Sequence, residues 1–204
     1  LIGIDVRPAD GMLYGLFEDG TIATIEPATA RATLKSKLAT TLAPGVAATV
    51  DFNPVADRLR VIGSDGTNLR ANVDDGKVTT DGTLKFADTD MHKGETPNIV
   101  AGSYTNPVKG AKETALYNID ATIGALVKQA PPNDGILTAV GKLGVKAKSY
   151  AFDIVTVDTA ASEGWLVADG TLYRVDLARG AASEVGKIKG ASGPVRDIAV
   201  LPAM

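Results

Sequence analysis

The chain has 204 residues, of which 45% are hydrophobic and 22% are charged, and its formal net charge at pH 7 is -3. This length suits one domain with a sizeable core, and the slight acidity argues against nucleic-acid binding, which requires clustered positive charge. The absence of cysteine excludes disulfides, zinc–thiolate sites and thiol nucleophiles. No run of 18 apolar residues occurs, so we expect no membrane-spanning segment.

A motif with an aspartate among apolar residues recurs along the chain. It reads IGIDVRP, ATVDFNP, YAFDIVT and VRDIAVLP, with the aspartates at positions 5, 51, 153 and 197. A related stretch, VAGSYTNP, has Ser103 at the matching place, so the intervals are 46, 52, 50 and 44 residues. A period of about 40 to 50 residues is typical of β-propeller blades.

Each motif is followed by further strands in which apolar and polar residues alternate. The first unit continues with MLYGLFE, TIATIEP and ATLKSKL, and the second with RLRVIGS, NLRANVD and KVTTDG. The third unit is irregular: its second strand is missing or reduced to KGAKETA, ALYNID is assigned as its third strand, and PPNDG (131–135) is assigned as an inserted loop. The fourth unit continues with WLVAD, TLYRVD and AASEVGKI. Asp-Gly pairs predict tight hairpin turns, because glycine accepts a positive φ.

The sequence therefore predicts an all-β protein, a single β-propeller domain of four-stranded antiparallel blades. The approximate boundaries of the blades and of a closing strand are 1–43, 46–86, 97–144, 148–190 and 194–202. The chain begins in mid-strand, and we therefore expect an upstream segment that supplies the remaining strands of a fifth blade. The prediction is a five-bladed ring whose closing blade is incomplete here; alternatively, the closing strand alone covers the open edge.

Three hypotheses explain the repeated aspartates Asp5, Asp51, Asp153 and Asp197, which first strands would place along the central channel. In the first hypothesis, each carboxylate accepts backbone N–H groups from an adjacent blade and so joins the two blades. In the second, the carboxylates together bind an ion or a ligand. The third hypothesis is a glycosidase-type hydrolase, which needs two acids about 5 to 9 Å apart in an open cleft. A buried carboxylate must in any case be hydrogen-bonded, paired or hydrated.

The second unit holds the densest polar stretch of the sequence. Arg58 and Arg60 share one face of a strand because they are two residues apart, and Arg70 and Asn72 do the same one hairpin later. Arginine forks bind carboxylates bidentately. The cluster predicts either a pocket for an anionic or sugar-like ligand or an Arg/Asp ladder that joins blade 2 to its neighbours.

Neither a cofactor nor a catalytic residue is expected. Weak calcium binding at residues 64–68 or 72–76 is a minor alternative, since both stretches lack the bidentate Glu of an EF-hand loop. The only histidine, His92, lies in a polar connection. A catalytic triad would have to use it, but the sequence contains no G-x-S-x-G nucleophile elbow. We therefore expect His92 to be a solvated loop residue.

The stretches LIGIDVRPADGMLYGL, VDFNPVADRLRVIGSDGTNLRANVDDG, AGSYTNP and QAPPNDGILTAVGKLGV resemble a bacterial family of unknown function, DUF4394. The resemblance covers nearly the whole chain and is most specific from Val50 to Asp75; the DDGK turn departs from it, since the family often has a longer loop there. Because members commonly carry secretion signals and a further N-terminal segment, the resemblance implies an exported bacterial protein. It implies no reaction, substrate or catalytic residue.

These observations favour an exported, periplasmic or extracellular, non-enzymatic binding or scaffold module that uses a propeller face or the channel mouth. Its partner would be a small molecule, a glycan or a protein, and neither nucleic acid nor a membrane span is expected. Two alternatives stay open: the hydrolase built on the channel carboxylates, and a structural protein that self-associates through an open blade edge.

Overall fold

The computed structural model describes residues 1–158 and 161–201. Within this part of the chain there are seventeen strands and one 3-10 helix, η1 (Pro132–Asp134), but no α-helix. No helix of these residues has the length and apolar character needed to cross a membrane. Four sheets follow one another along the chain, and each contains four antiparallel strands in sequence order; the third sheet also includes a short fifth strand. They form the blades of a propeller.

Blades 1 and 2 have the strand pattern that the sequence predicts. The strands of blade 1, β1 to β4, are Gly3–Val6, Leu13–Leu16, Thr21–Glu26 and Arg31–Lys37. Those of blade 2, β5 to β8, are Ala48–Asn53, Arg58–Gly63, Asn68–Ala71 and Val78–Thr80. The hairpin turns between the second and third strands contain Gly20 (φ 85°) and Gly66 (φ 88°), conformations that favour glycine.

Blades 3 and 4 complete the described part of the ring. The strands of blade 3, β10 to β13, are Ile99–Tyr104, Leu116–Asp120, Ala125–Gln129 and Ile136–Lys142. Those of blade 4, β14 to β17, are Tyr150–Asp158, Ala161–Ala168, Thr171–Val175 and Ala182–Lys187. A two-residue strand, β9 (Lys85–Phe86), follows blade 2 and pairs in parallel with β13, so it ties blade 2 to the outer edge of blade 3.

The predicted irregularity of blade 3 is wrong. ALYNID forms its second strand rather than its third, and ALVKQ supplies the third strand that the sequence interpretation missed. The turn between them contains no Asp-Gly pair; instead, Asp120 Oδ1 accepts the N–H groups of Thr122 and Ile123. KGAKETA is a loop before β11, and η1 lies within PPNDG.

Apolar clusters join successive blades, because successive side chains of a strand point to opposite faces of the sheet and the inner strands have buried residues on both faces, as in β5 and β6. Tyr14, Leu16, Phe52 and Leu59 pack between blades 1 and 2. The equivalent cluster between blades 2 and 3 contains Ile62, Phe86, Ile99, Tyr104 and Leu137. The cluster between blades 3 and 4 contains Ile119, Leu126, Phe152, Ile154 and Leu166. In the described residues, no such cluster joins blade 4 to blade 1.

The structure contains four blades, which corrects the prediction of five. The predicted closing strand, 194–202, is not a strand over its described residues 194–201, and Pro202 lies outside the described part of the chain. The physical reason is the lack of a neighbouring strand: among the described residues, the segment 194–201 makes no backbone–backbone hydrogen bond. It nevertheless lies between blades 4 and 1, where side chains hold it.

Candidate functional site

The repeated aspartates form a ring of hydrogen bonds around the propeller axis, where β1, β5, β10 and β14 lie side by side. Each ring residue binds the backbone of the next inner strand. Asp5 Oδ2 accepts the N–H of Phe52 at 2.6 Å, and Asp51 Oδ1 accepts the N–H of Tyr104 at 2.9 Å. These bonds join blade 1 to blade 2 and blade 2 to blade 3.

Ser103 and the two remaining aspartates continue the ring until it closes. Ser103 Oγ accepts the N–H of Ile154 and donates to Asp153 Oδ1, both at 3.1 Å. Asp153 Oδ2 accepts the N–H of Val200 at 2.6 Å, and Asp197 Oδ2 accepts the N–H of Ile4 at 2.9 Å. The ring therefore has five members, and the segment 194–201 occupies its fifth place.

Three of the ring carboxylates are crowded together in the interior. Asp5, Asp51 and Asp153 are each at most 9% exposed, and each places one oxygen within 4.8 Å of the others. Burial, followed by mutual repulsion, raises the pKa of Asp5 and of Asp51 well above the usual value. Burial also raises the pKa of Asp153 to about 6 and that of Asp197 well above its usual value. The ring therefore retains protons to higher pH than ordinary carboxyl groups do, and each bound proton relieves the repulsion.

The ring offers little free coordinating capacity. Both oxygens of Asp5 and both oxygens of Asp153 already accept hydrogen bonds, mostly from backbone N–H groups. Three carboxylate oxygens at this spacing resemble a cation site, but a cation there would have to replace the retained protons and compete with these donors. The geometry is that of a structural ring joining neighbouring blades.

Arg60 and Arg70, two of the predicted ligand-binding residues, converge on Asp81. Arg60 is only 2% exposed, and its NH1 group lies 2.6 Å from Asp81 Oδ2. It also donates to Asn68, Asn133 and Tyr104. Arg70 Nε lies 2.6 Å from the same Asp81 oxygen. Burial would raise the pKa of Asp81, but the bonds from Arg70 and Arg60 outweigh it and lower that pKa.

Arg58 and Asn72 are not part of this cluster. Arg58 donates to the backbone oxygen of Asp57 at 2.8 Å, and Asn72 Oδ1 accepts the N–H of Asp74 at 3.0 Å. Both side chains thus bind their own turns. The strand register pairs Arg60 directly with Arg70. The cluster contains these two of the three predicted arginines. It connects blade 2 with blade 3 because Arg60 donates to Asn133.

Arg7 is a buried arginine that the sequence interpretation did not single out. It lies in IGIDVRP, directly before the proline, and forms ion pairs with Asp57 at 2.6 Å and with Asp74 at 2.8 Å. The Arg7 bond, with help from Lys35, lowers the pKa of Asp74 to about 2. Arg7 therefore connects the turn after β1 with two turns of blade 2. The available signal was a second charged residue, Arg7, two positions after the aspartate of this motif.

The loop residues considered for metal binding have local partners. Asp65 Oδ1 accepts the N–H of Thr67, as expected for a hairpin turn. Asp75 Oδ1 accepts the N–H of Lys77. His92 Nδ1 lies 3.1 Å from Glu95 Oε1, within the predicted polar connection.

A cavity of about 430 Å³ opens at the mouth of the channel, where the inner strands begin. Its walls include the apolar residues Ile2, Ala48, Val100, Tyr150 and Val195. The first four precede the ring residues Asp5, Asp51, Ser103 and Asp153 by three positions. At about 3.3 Å per strand residue, the ring lies roughly 10 Å deeper. The sequence analysis expected binding at a propeller face or the channel mouth but named none of these residues, because the lining consists of short, inconspicuous stretches from different blades.

Two basic residues, Lys148 and Arg196, lie at the rim of this mouth cavity. Both are exposed. Their side chains form no ion pair with any described residue, and no acidic residue lines the cavity. Asp169 lies beside this rim, since it accepts the backbone N–H of Lys148 and of Ser149, but it does not line the cavity. The mouth therefore combines largely apolar walls with two positive side chains.

A family model for a domain of unknown function, DUF4394, matches residues 1–199. The chain belongs to the DUF4394 family. No curated protein matches the sequence, so no activity of a characterised relative bears on the mouth cavity or on the ring of this DUF4394 protein.

Solved structures share the fold at low sequence identity. A structural genomics protein of unknown function from Bacteroides thetaiotaomicron is 16% identical, with a TM-score of 0.61 over 97% of this chain and 53% of that chain. Two auxiliary nutrient binding proteins, from B. thetaiotaomicron and Bacteroides ovatus, are 15% and 13% identical with TM-scores of 0.49. The matches cover 80% and 92% of this chain and 44% and 48% of theirs. The chain thus spans about half the length of these proteins, and the likeness concerns the fold alone.

Proposed function

We propose that the protein is an exported, non-enzymatic binding module that receives a small ligand at the channel mouth. The observation that carries this proposal is the mouth cavity of about 430 Å³, which has apolar walls and two unpaired cations at its rim. Small-molecule sites are typically concave, largely apolar and supplied with a few polar groups. The family resemblance, whose members commonly carry secretion signals, supports export.

The hydrolase alternative has less support from the geometry. A glycosidase needs an acid and a second carboxylate that both reach the substrate. Asp5, Asp51 and Asp153 are buried below the mouth, and all three already accept backbone N–H groups. These bonds favour a structural role for the ring and leave ligand contact to the mouth residues.

A fluorescence titration with 1-anilinonaphthalene-8-sulfonate, an apolar probe with one negative charge, tests the proposed site. We expect saturable binding of one probe per chain, and we expect Ala48→Trp, which fills part of the cavity, to weaken binding at least tenfold. The matched control is Ala56→Trp in an exposed turn of blade 2, which should leave binding unchanged. Equal binding by wild type and Ala48→Trp would contradict the proposal.

We also propose that the open side of the propeller, between blades 4 and 1, supports self-association. Leu13, Ile25 and Leu34 lie on the face of blade 1 opposite the Tyr14 cluster, as the strand register requires. Leu34 is 72% exposed. Trp165 is on the face of blade 4 opposite the Phe152 cluster, since it pairs with Asp153, and the Arg174 guanidinium lies 5.0 Å from its ring centre. Contiguous exposed apolar surface of this kind is typical of interaction sites.

Sedimentation velocity at increasing protein concentration tests this second proposal. We expect the wild type to form larger species, and Leu34→Asp to remain monomeric because a carboxylate would be desolvated at the contact. Val55→Asp is the matched control, since Val55 is 48% exposed on a turn of blade 2. A wild type that stays monomeric at every concentration would overturn self-association while leaving the ligand site unaffected.

A further inference from the structure

The side chains that line the mouth cavity indicate which class of ligand it binds. Every blade contributes an apolar residue to its walls: Ile2 comes from blade 1, Ala48 from blade 2, Val100 from blade 3 and Tyr150 from blade 4. The uncharged polar side chains of the lining are Asn98 and Ser149, and the Ser149 hydroxyl already donates to Asp169 at 3.2 Å. Tyr150 does not add a free hydroxyl, because its oxygen accepts the N–H of Ala147 at 2.8 Å. The walls therefore favour the body of an apolar molecule over a sugar, whose hydroxyls would lose their bonds to water.

The only charged groups that line the cavity are positive. Arg196 belongs to the segment 194–201 and directly follows Val195, and Lys148 lies two residues before β14. Neither is neutralised by an ion pair with a described residue. Arginine and lysine in this position attract carboxylate, sulfonate or phosphate groups.

The deeper carboxylate ring does not reverse this preference. It lies roughly 10 Å below the mouth, and burial raises the pKa of its aspartates, which lowers its charge relative to ordinary carboxylates at the same pH. Asp169 lies beside the rim, where it accepts the backbone N–H of Lys148 and of Ser149, but it does not line the cavity. Lys148 and Arg196 are thus the charged side chains that line the cavity itself.

We propose that the ligand is a small organic anion with an apolar body, held with its chain among Ile2, Ala48 and Val100 and its anionic group between Lys148 and Arg196. This inference rests on the proposed function, because it assigns a ligand class to the same site. It requires no metal and no covalent step.

Three probes that share one chain and differ only in the head group test this inference: hexanoate, hexylammonium and 1-hexanol. Each is titrated at pH 7.5 against the isotope-labelled chain, and the backbone amide signals of the mouth residues are followed by NMR. We expect hexanoate to bind at least fivefold more tightly than 1-hexanol, and hexylammonium to bind more weakly than both. Saturable shifts should be confined to the mouth, including Ala48, Val100 and Val195.

Variants separate the charge contribution from the apolar one. In Lys148→Gln and Arg196→Gln, the affinity for hexanoate should fall about two- to fivefold each, as is typical of exposed ion pairs, while that for 1-hexanol stays unchanged. Arg179→Gln, in the exposed turn after β16, is the matched control and should change neither.

The outcomes distinguish the ligand class from the site itself. Equal binding of the three probes at the mouth, or tighter binding of hexylammonium, would overturn the anion proposal and leave the binding site in place. The absence of any saturable shift at the mouth residues, with all three probes, would overturn both the ligand class and the proposed function.

Discussion

Replacing Arg60 by methionine is expected to lower the free energy of unfolding by about 3 to 5 kcal/mol, because it removes one partner of a buried ion pair. The side chains of Arg60 and Asp81 are 3% and 5% exposed. Methionine fills a similar volume, but it leaves the Asp81 carboxylate with Arg70 as its remaining cation and deprives Asn68 and Asn133 of a donor. Urea unfolding at pH 7.5, followed by far-UV circular dichroism, measures the loss.

Two further variants show whether the unpaired charge causes this loss. Arg60→Met/Asp81→Asn removes the charge together with its partner and should recover part of the stability. Arg58→Met is the matched control; because Arg58 binds only backbone oxygens, its effect should remain within about 0.5 kcal/mol. A loss below about 1 kcal/mol for Arg60→Met would contradict the structural role of the cluster.

The second large effect is a rise in stability on mild acidification. A group whose pKa is raised by folding binds more protons in the native state, so its stabilisation is complete below its unfolded pKa and is lost as the pH rises through the folded pKa. Asp153, with a folded pKa of about 6 and an ordinary value of 3.8, should alone make the protein about 1 to 2 kcal/mol more stable at pH 5 than at pH 8. The raised pKa values of Asp5, Asp51 and Asp197 act in the same direction.

Surface carboxylates do not mask this trend. The pKa of Asp74 is lowered to about 2 in the folded protein. The contribution of Asp74 to folding stability is therefore complete above its unfolded pKa and is lost only as the pH falls through its folded pKa. The window from pH 5 to pH 8 therefore reports mainly on the ring. Urea unfolding at several pH values across that window measures it, and a stability that is constant or that increases towards pH 8 would contradict protonation of the ring.

Substitutions within the ring test whether its carboxylates cause the change of stability with pH. Asp51→Asn keeps an oxygen to accept the N–H of Tyr104 but removes one of the three crowded carboxylates. The stability should therefore change less with pH. Ser103→Asp adds a carboxylate where Ser103 Oγ now lies 3.1 Å from Asp153 Oδ1, so the change should become steeper. Opposite slopes for this matched pair distinguish charge crowding from a general effect of acid.

The sequence predicts the blades because the period of the Asp motif and the alternation of apolar residues both follow from strand geometry. Blade 3 is the exception, since the turn between β11 and β12 uses Asp120 as an acceptor for two N–H groups rather than an Asp-Gly pair. The five-membered ring appears in the spacing of Asp5, Asp51, Ser103, Asp153 and Asp197. A ring position does not by itself make a blade, because residues 194–201 have no strand beside them to pair with.

The candidate site is less predictable for a physical reason. Asp81 and Asn133, the partners of Arg60, lie in connections that are 21 and 73 residues away from it, and no local pattern specifies such contacts. The mouth cavity is assembled from single apolar residues at the starts of different strands. Its lining becomes evident only when the blades are arranged around one axis.

The most direct test of the account is a high-resolution crystal structure of the chain grown at pH 7.5 with calcium and hexanoate. We predict hexanoate at the channel mouth beside Lys148 and Arg196, with each ring aspartate accepting the backbone N–H of the next inner strand and no ion among Asp5, Asp51 and Asp153. A calcium ion coordinated by these three carboxylates, with the mouth empty, would contradict the account and make the ring itself the functional site.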